Sequence, residues 1–253
     1  MILYWWRRNG DYVYRVKSNF QAITELSFSD YEEKVRNGIA DHYAEKAFVA
    51  GNPDRVINHF AKIKTDSDIV KKISEACVKK NVVLMTLHYG GVEMIPTSLG
   101  FLNLPAAVFV NYKTEYARNR QVCNASLFGV RICDVKGNTK SDLLHFRKHP
   151  HVSMLVCDAF DYWKRSGNCV TADIFSKKCA LDTSVDCLVK LLRADVYFGF
   201  MKRTGIETYD FIIEPVESEN DQYILPIMKK FEALVMDSPE DYYAWNEIDR
   251  LFA

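Results

Sequence analysis

Apolar positions along the chain follow two regimes. In SFSDYEEKVRNGIADHYAEKAFVAGNP, Tyr31, Val35, Ile39, Tyr43 and Ala47 recur every four residues, the spacing that lines one face of a helix. Ser29 with Glu32 three positions on makes a capping-box pattern at its start, and Gly51 and Pro53 stop it. A second helix is predicted from Pro53, carrying Val56, Ile57 and Phe60, and a third over SDIVKKISEACVKK, residues 67–80. From residue 81 the apolar positions gather into short runs: NVVLMTL, AAVFVNY, VRICDV, VSMLVCDAF, DVYFGFMKR and YDFIIEPVE. Each is a predicted strand. EMIPTSLGFL, EYARNRQVCNASLFG, KSDLLHFRKH and DTSVDCLVKLLRA between them read as helices, and the tail from residue 224 as two short ones.

Strands that are apolar throughout must be covered on both faces. The predicted fold class is therefore α/β, a mostly parallel central sheet flanked by helices, preceded by a helical N-terminal lead-in. One domain over residues 1–253 is expected, with the lead-in of residues 1–80 packed on an α/β core of residues 81–253.

Composition narrows the function classes. The 253 residues are 48% hydrophobic and 26% charged, which suits an ordinary globular core. Formal net charge is zero, so no global field favours nucleic acid as a partner. Seven cysteines are scattered without a C-x-x-C pair or zinc-ligand spacing, which points to buried thiols in a reducing compartment and a cytoplasmic location. Residues 94–112 carry no formal charge, but two prolines, a glycine and two asparagines break the stretch into helix, loop and buried strand. MILYWWRRNG does not have the layout of a secretory signal. Trp5 and Trp6 beside Arg7 and Arg8 fit a peripheral contact with the cytoplasmic face of the inner membrane, and fit tertiary packing equally well.

The candidate chemistry lies in HYGGVE, residues 88–93, directly after the predicted strand NVVLMTL. Ligands of open α/β sheets collect at the carboxyl ends of strands. There His88 can act as a base with Glu93 holding its tautomer, while Tyr89, Gly90 and Gly91 offer backbone N–H groups to a developing oxyanion. Taken alone, the spacing is equally that of a strand ending in His and a helix opening on Glu. Two other constellations carry less. His145, His149 and His151 lack the pattern of a metal shell and read as surface histidines at a helix end, so no metal is expected. Cys157, flanked by Val156 and Asp158, reads as a buried strand thiol rather than a nucleophile.

Several blocks together resemble the bacterial lipid A biosynthesis acyltransferases, the late lauroyl and myristoyl transferases, and the related mycobacterial phosphatidylinositol-mannoside acyltransferases. LHYGGVEM is similar to that family's His-x-Gly-Asn-Trp-Glu block, with His88, Gly90 and Glu93 coinciding. VCDAFDYW resembles its strand-end Asp and following Asp-Tyr pair, at Asp158, Asp161 and Tyr162. DIFSKKCALDTSVDCLVKLLRADVYFGFMKR resembles a later segment of short strand, small-residue loop, helix and a strand closing on basic residues, and DYYAWNEIDRLF a terminal helix with Trp245 and Arg250. The resemblance covers almost the whole chain. It implies an acyltransferase-like fold and transfer of a fatty acyl group from an acyl carrier protein or acyl-CoA thioester to a hydroxyl or amine of a lipid or small-molecule acceptor. It implies no metal or redox cofactor. His88 would be the general base, Glu93 its orienting carboxylate, Asp158 and Asp161 supporting groups, and Arg203 a contact for an anionic substrate.

The departures matter too. Gly91 and Val92 replace the family's Asn-Trp, and two of its arginines are replaced in VFVNY and CDVKG, the latter by Val135. Lost guanidiniums remove bidentate partners for phosphate; Lys113, Arg118, Arg120, Arg131 and Lys136 are the nearby basic residues. A divergent acyl-binding protein and a thioester hydrolase on the same scaffold are the competing readings.

Overall fold

The computed structural model describes residues 2–51, 62–110, 128–134, 139–158, 169–205 and 207–252. Three helices open the chain: α1 (Ile2–Arg8), α2 (Gly10–Thr24) and α3 (Phe28–Gly51). Strand β1 (Ile63–Thr65) and helix α4 (Ser67–Ala76) follow, the latter capped by the Asp66 carboxylate, which accepts the Asp68 N–H at 2.8 Å. Then come β2 (Val82–Thr86), a 3-10 turn (Val92–Met94), α5 (Ile95–Phe101), β3 (Ala106–Val110), β4 (Arg131–Asp134), α6 (Thr139–Lys148) and β5 (Val152–Val156). The last part holds β6 (Cys169–Ile174), β7 (Lys177–Asp182), α7 (Ser184–Leu192), β8 (Asp195–Gly205), β9 (Thr208–Pro215) and α8 (Ile224–Asp237). Two further 3-10 turns, Pro239–Asp241 and Ile248–Leu251, complete it.

Seven strands form one sheet in the order β1-β9-β8-β2-β5-β3-β4, parallel except for the antiparallel pair β8 and β9. Alternation along β2 explains why its run from Val82 to Met85 is apolar at every position. Val83, Met85 and Leu87 join a core with Val35 and Ile39 of α3, Val185 and Val189 of α7, and Phe231 of α8. Val82 and Leu84 face the other way, against Ile73 of α4 and Ile95 and Leu99 of α5. The predicted α/β class with a mostly parallel, doubly covered sheet is what the chain adopts. No helix among the described residues is long and apolar enough to cross a membrane. The uncharged stretch resolves, up to residue 110, into a 3-10 turn, α5 and β3.

Four expectations need correction. The lead-in is not wholly helical, because β1 joins the sheet edge beside β9. The segment from Asp173, where the resemblance implied one short strand and a small-residue loop, belongs instead to an antiparallel hairpin of residues 169–182. Its turn places Phe175 and Ser176 both at positive φ, a primed turn made without the Gly or Asn that normally signals one. Helix α3 turns Val35 and Ile39 inward as expected, but its later half differs: Tyr43 and Ala47 are exposed, whereas His42 and Glu45 are buried. Its start is also shifted, with Ser29 inside the first turn and Glu32 accepting the Trp6 indole N–H at 3.1 Å. That bond belongs to a buried Trp6, so tertiary packing is the outcome for this residue; Trp5 packs against the same core. The helix predicted from Pro53 and most of that at residues 115–129 lie outside the described residues.

Candidate active site

Strands β2 and β5 are parallel neighbours with Thr86 opposite Val156. His88 and Asp158 each stand two residues beyond that pair, so the same register carries them to adjacent carboxyl ends. The Cys157 N–H donates to the Thr86 carbonyl at 2.8 Å and continues the ladder to the brink of the site. Helix α5 after β2 packs on one face of the sheet and α7 after β5 on the other, which makes the gap between these strand ends a topological switch point, the usual crevice for ligands.

Asp158 holds His88 in two ways. Its carboxylate oxygens accept the His88 backbone N–H at 3.1 and 3.2 Å, and one lies 2.9 Å from Nδ1 of the imidazole. The Asp158 side chain is fully buried, whereas 30% of that of His88 is exposed, so the ring is reachable from outside. Burial alone would push the imidazole down, but Asp158, with a smaller contribution from Glu93, more than offsets this and holds it above its ordinary value. Tyr242 stands behind the pair. Burial, with the adjacent Asp158 charge, pushes its phenol well up, so it stays protonated.

Glu93 is therefore not the carboxylate that orients His88. It lies 3.7 Å from Nε2 of His42 and 3.6 Å from Nζ of Lys46, both on α3. The cause is local geometry: Val92–Met94 turns as a 3-10 helix, which carries Glu93 toward α3. His42 is buried and stacked on Tyr243, ring centroids 3.2 Å apart, and Tyr243 and His88 meet edge to face with centroids 5.2 Å apart. Burial, with Lys46, His88 and Arg203 nearby, pushes the His42 imidazole down to about 2, so it is neutral.

The HYGG loop differs from the expected oxyanion cradle. The Gly90 N–H donates to the Asp241 carbonyl at 2.9 Å and the Gly91 N–H to the Met201 carbonyl at 3.0 Å, so neither is available to a substrate. Tyr89 is buried. What the glycines permit is close packing: a Cβ on Gly90, at φ +54°, would fall 1.8 Å from the Met201 oxygen, and one on Gly91 would meet the Tyr209 ring at 2.7 Å.

Arg203 is likewise committed within the protein. Nε and Nη2 donate to the two Glu45 oxygens at 2.9 and 3.0 Å, Nη1 to Asp241 at 3.2 Å, and Nη2 also to the Gly90 carbonyl at 2.9 Å. Four of its five N–H donors are thus engaged within the protein, which leaves little of the guanidinium for an anionic substrate. Arg131 pairs with Asp142, while Lys113, Arg118, Arg120, Lys136, Asp161 and Tyr162 lie outside the described residues. Of the three clustered histidines, His151 is buried against Ser153 rather than on the surface, because it stands directly before the buried strand β5. Among the described residues no group of three or more His, Cys, Asp or Glu side chains could hold a metal ion. Cys157 is buried, which pushes its thiol well up and leaves it without thiolate.

Sequence reasoning missed His42, Glu45, Asp241, Tyr242 and Tyr243. The signal that finds the first two is a polar residue at an inward helix position; the others come from a tail that only folding brings to the site. Comparison with models of known protein families finds no match, and comparison with the curated proteins finds none either.

Proposed function

We propose that the protein is an acyltransferase that moves a fatty acyl group from an acyl carrier protein or acyl-CoA thioester to a hydroxyl or amine acceptor. The observation that carries this reading is the His88 and Asp158 pair at the switch-point crevice. With the proton on Nδ1, 2.9 Å from an Asp158 oxygen, Nε2 is left with its lone pair to act as base. The acceptor gives its proton to Nε2 as its oxygen or nitrogen bonds to the thioester carbonyl carbon. The tetrahedral intermediate then breaks its C–S bond, and the imidazolium returns the proton to the departing sulfur. Asp158 stabilises the imidazolium between these steps. The chemistry needs no other cofactor, and a cytoplasmic setting supplies both donors.

The resemblance of LHYGGVEM and VCDAFDYW supports this class over a binding protein, which has no need of a base with an oriented imidazole. Thiol release from acyl-CoA and acyl carrier protein of graded chain length, with lipid and small-molecule acceptors, tests it. Acceptor-dependent release is expected, reduced on the order of a hundredfold or more in His88→Ala. Equal rates for both proteins sink the assignment. Release independent of acceptor would identify a thioester hydrolase.

A further inference from the structure

We propose that Arg203 is a positioning residue that aligns His88 with Asp158 through the carbonyl of Gly90. The proposal relies on the reading above only in taking His88 as the base. Asp158 grips His88 from the β5 side of β2. Arg203 sits on β8, the neighbour on the other side, and its guanidinium ties four segments together: β8 itself, α3 through Glu45, the 3-10 turn through Asp241, and the His88 loop through Gly90. The Tyr209 hydroxyl on β9 donates to Glu45 at 2.7 Å and completes the cluster.

Energetics say what such a cluster is for. Burying Glu45, Arg203 and Asp241 together costs desolvation that their attraction only roughly offsets, so apolar packing would serve stability as well or better. Geometry is what it supplies. A planar guanidinium fixes direction and distance at three acceptors at once, and the loop it holds begins two residues after His88, whose own carbonyl accepts the Tyr243 N–H at 3.3 Å. The loop hangs on backbone bonds from Gly90 and Gly91 that form only while Asp241 and Met201 keep their places.

The test reads His88 directly. The full chain is labelled with ring-13C histidine, the His88 signal among six histidines is assigned by its loss in His88→Gln, and its titration midpoint is compared in Arg203→Lys and Tyr209→Phe. Lysine keeps the positive charge but cannot hold Glu45 with two parallel bonds while reaching Gly90. The midpoint is expected to fall in both variants, more in Arg203→Lys, because a loosened ring loses Asp158. Loss of positive charge alone would move it up, so the direction distinguishes alignment from field. In transfer assays kcat falls, by up to roughly a hundredfold for misplacement of about 1 Å, with KM little changed. An unmoved midpoint in the variants that fold overturns the proposal, and Tyr209→Phe decides the matter if Arg203→Lys does not fold. The titration uses no acyl donor, so absence of transfer activity would sink the acyltransferase reading and leave this result standing.

Discussion

His88 meets several constraints at one position: its N–H and Nδ1 both meet Asp158, its carbonyl holds Tyr243, and part of its ring faces outward. Removing the charge of Asp158 separates these roles. In Asp158→Asn the burial that pushes the imidazole down acts unopposed by its main partner, so the acidic limb of kcat/KM moves to lower pH while the plateau rate falls. A pH profile of both proteins checks this, and a limb that stays in place refutes the pairing. Why Glu93 invited the role is clear from the residues. It is five positions from His88 and visible in one line of sequence, whereas Asp158 is separated from His88 by 70 residues and becomes a neighbour through strand register.

Elements impose their own limits on the site. The loop after β2 runs so close to β8 that Gly90→Ala forces the backbone away from the Met201 carbonyl at a positive φ. The substitution is expected to destabilise the fold by about 2 kcal/mol or more, measured as a shift in urea midpoint, and a neutral result would show that the loop does not pack as described. Within α3, Ile39 is fully buried against the sheet, and Ile39→Ala is expected to cost about 2–5 kcal/mol in the same experiment. Strands were legible because a two-sided burial requirement leaves apolar runs. The hairpin β6–β7 was not, since its burial alternates weakly and its turn lacks Gly and Asn. The inward face of α3 was misread because pattern alone assigns Tyr to the core and Glu to solvent. Here Arg203 and Tyr209 compensate Glu45, while Tyr43 remains exposed.

Over the whole molecule, pH couples to stability through imidazoles of opposite sign. Unfolded, each titrates near 6.5, at about the ordinary value. Folded, burial holds His42 neutral down to about 2 and His151 down to about 4. Below pH 6.5, at about the unfolded value, the unfolded chain binds protons that the folded chain refuses, so these two residues make stability fall as pH falls. His42→Asn should flatten the dependence between roughly pH 4 and 6 by up to about 1.4 kcal/mol per pH unit, read from denaturant melts. An unchanged slope would show that His42 titrates in the fold. His88 acts the other way. Its folded value is raised, so its contribution is present below about 6.5 and lost as pH rises through the higher folded value.

Periodicity and apolar runs are local properties, written every two or four residues, and from them the sequence alone determined the α/β class, most strands and the strand-end location of His88. Which carboxylate serves that imidazole, which glycine N–H groups are already used, and where the Arg203 guanidinium is spent depend on register between strands and on a tail more than 80 residues after Asp158 folding back against α3. Tertiary structure decided these, because hydrogen bonds and ion pairs act over a few ångströms in space and carry no mark of separation along the chain.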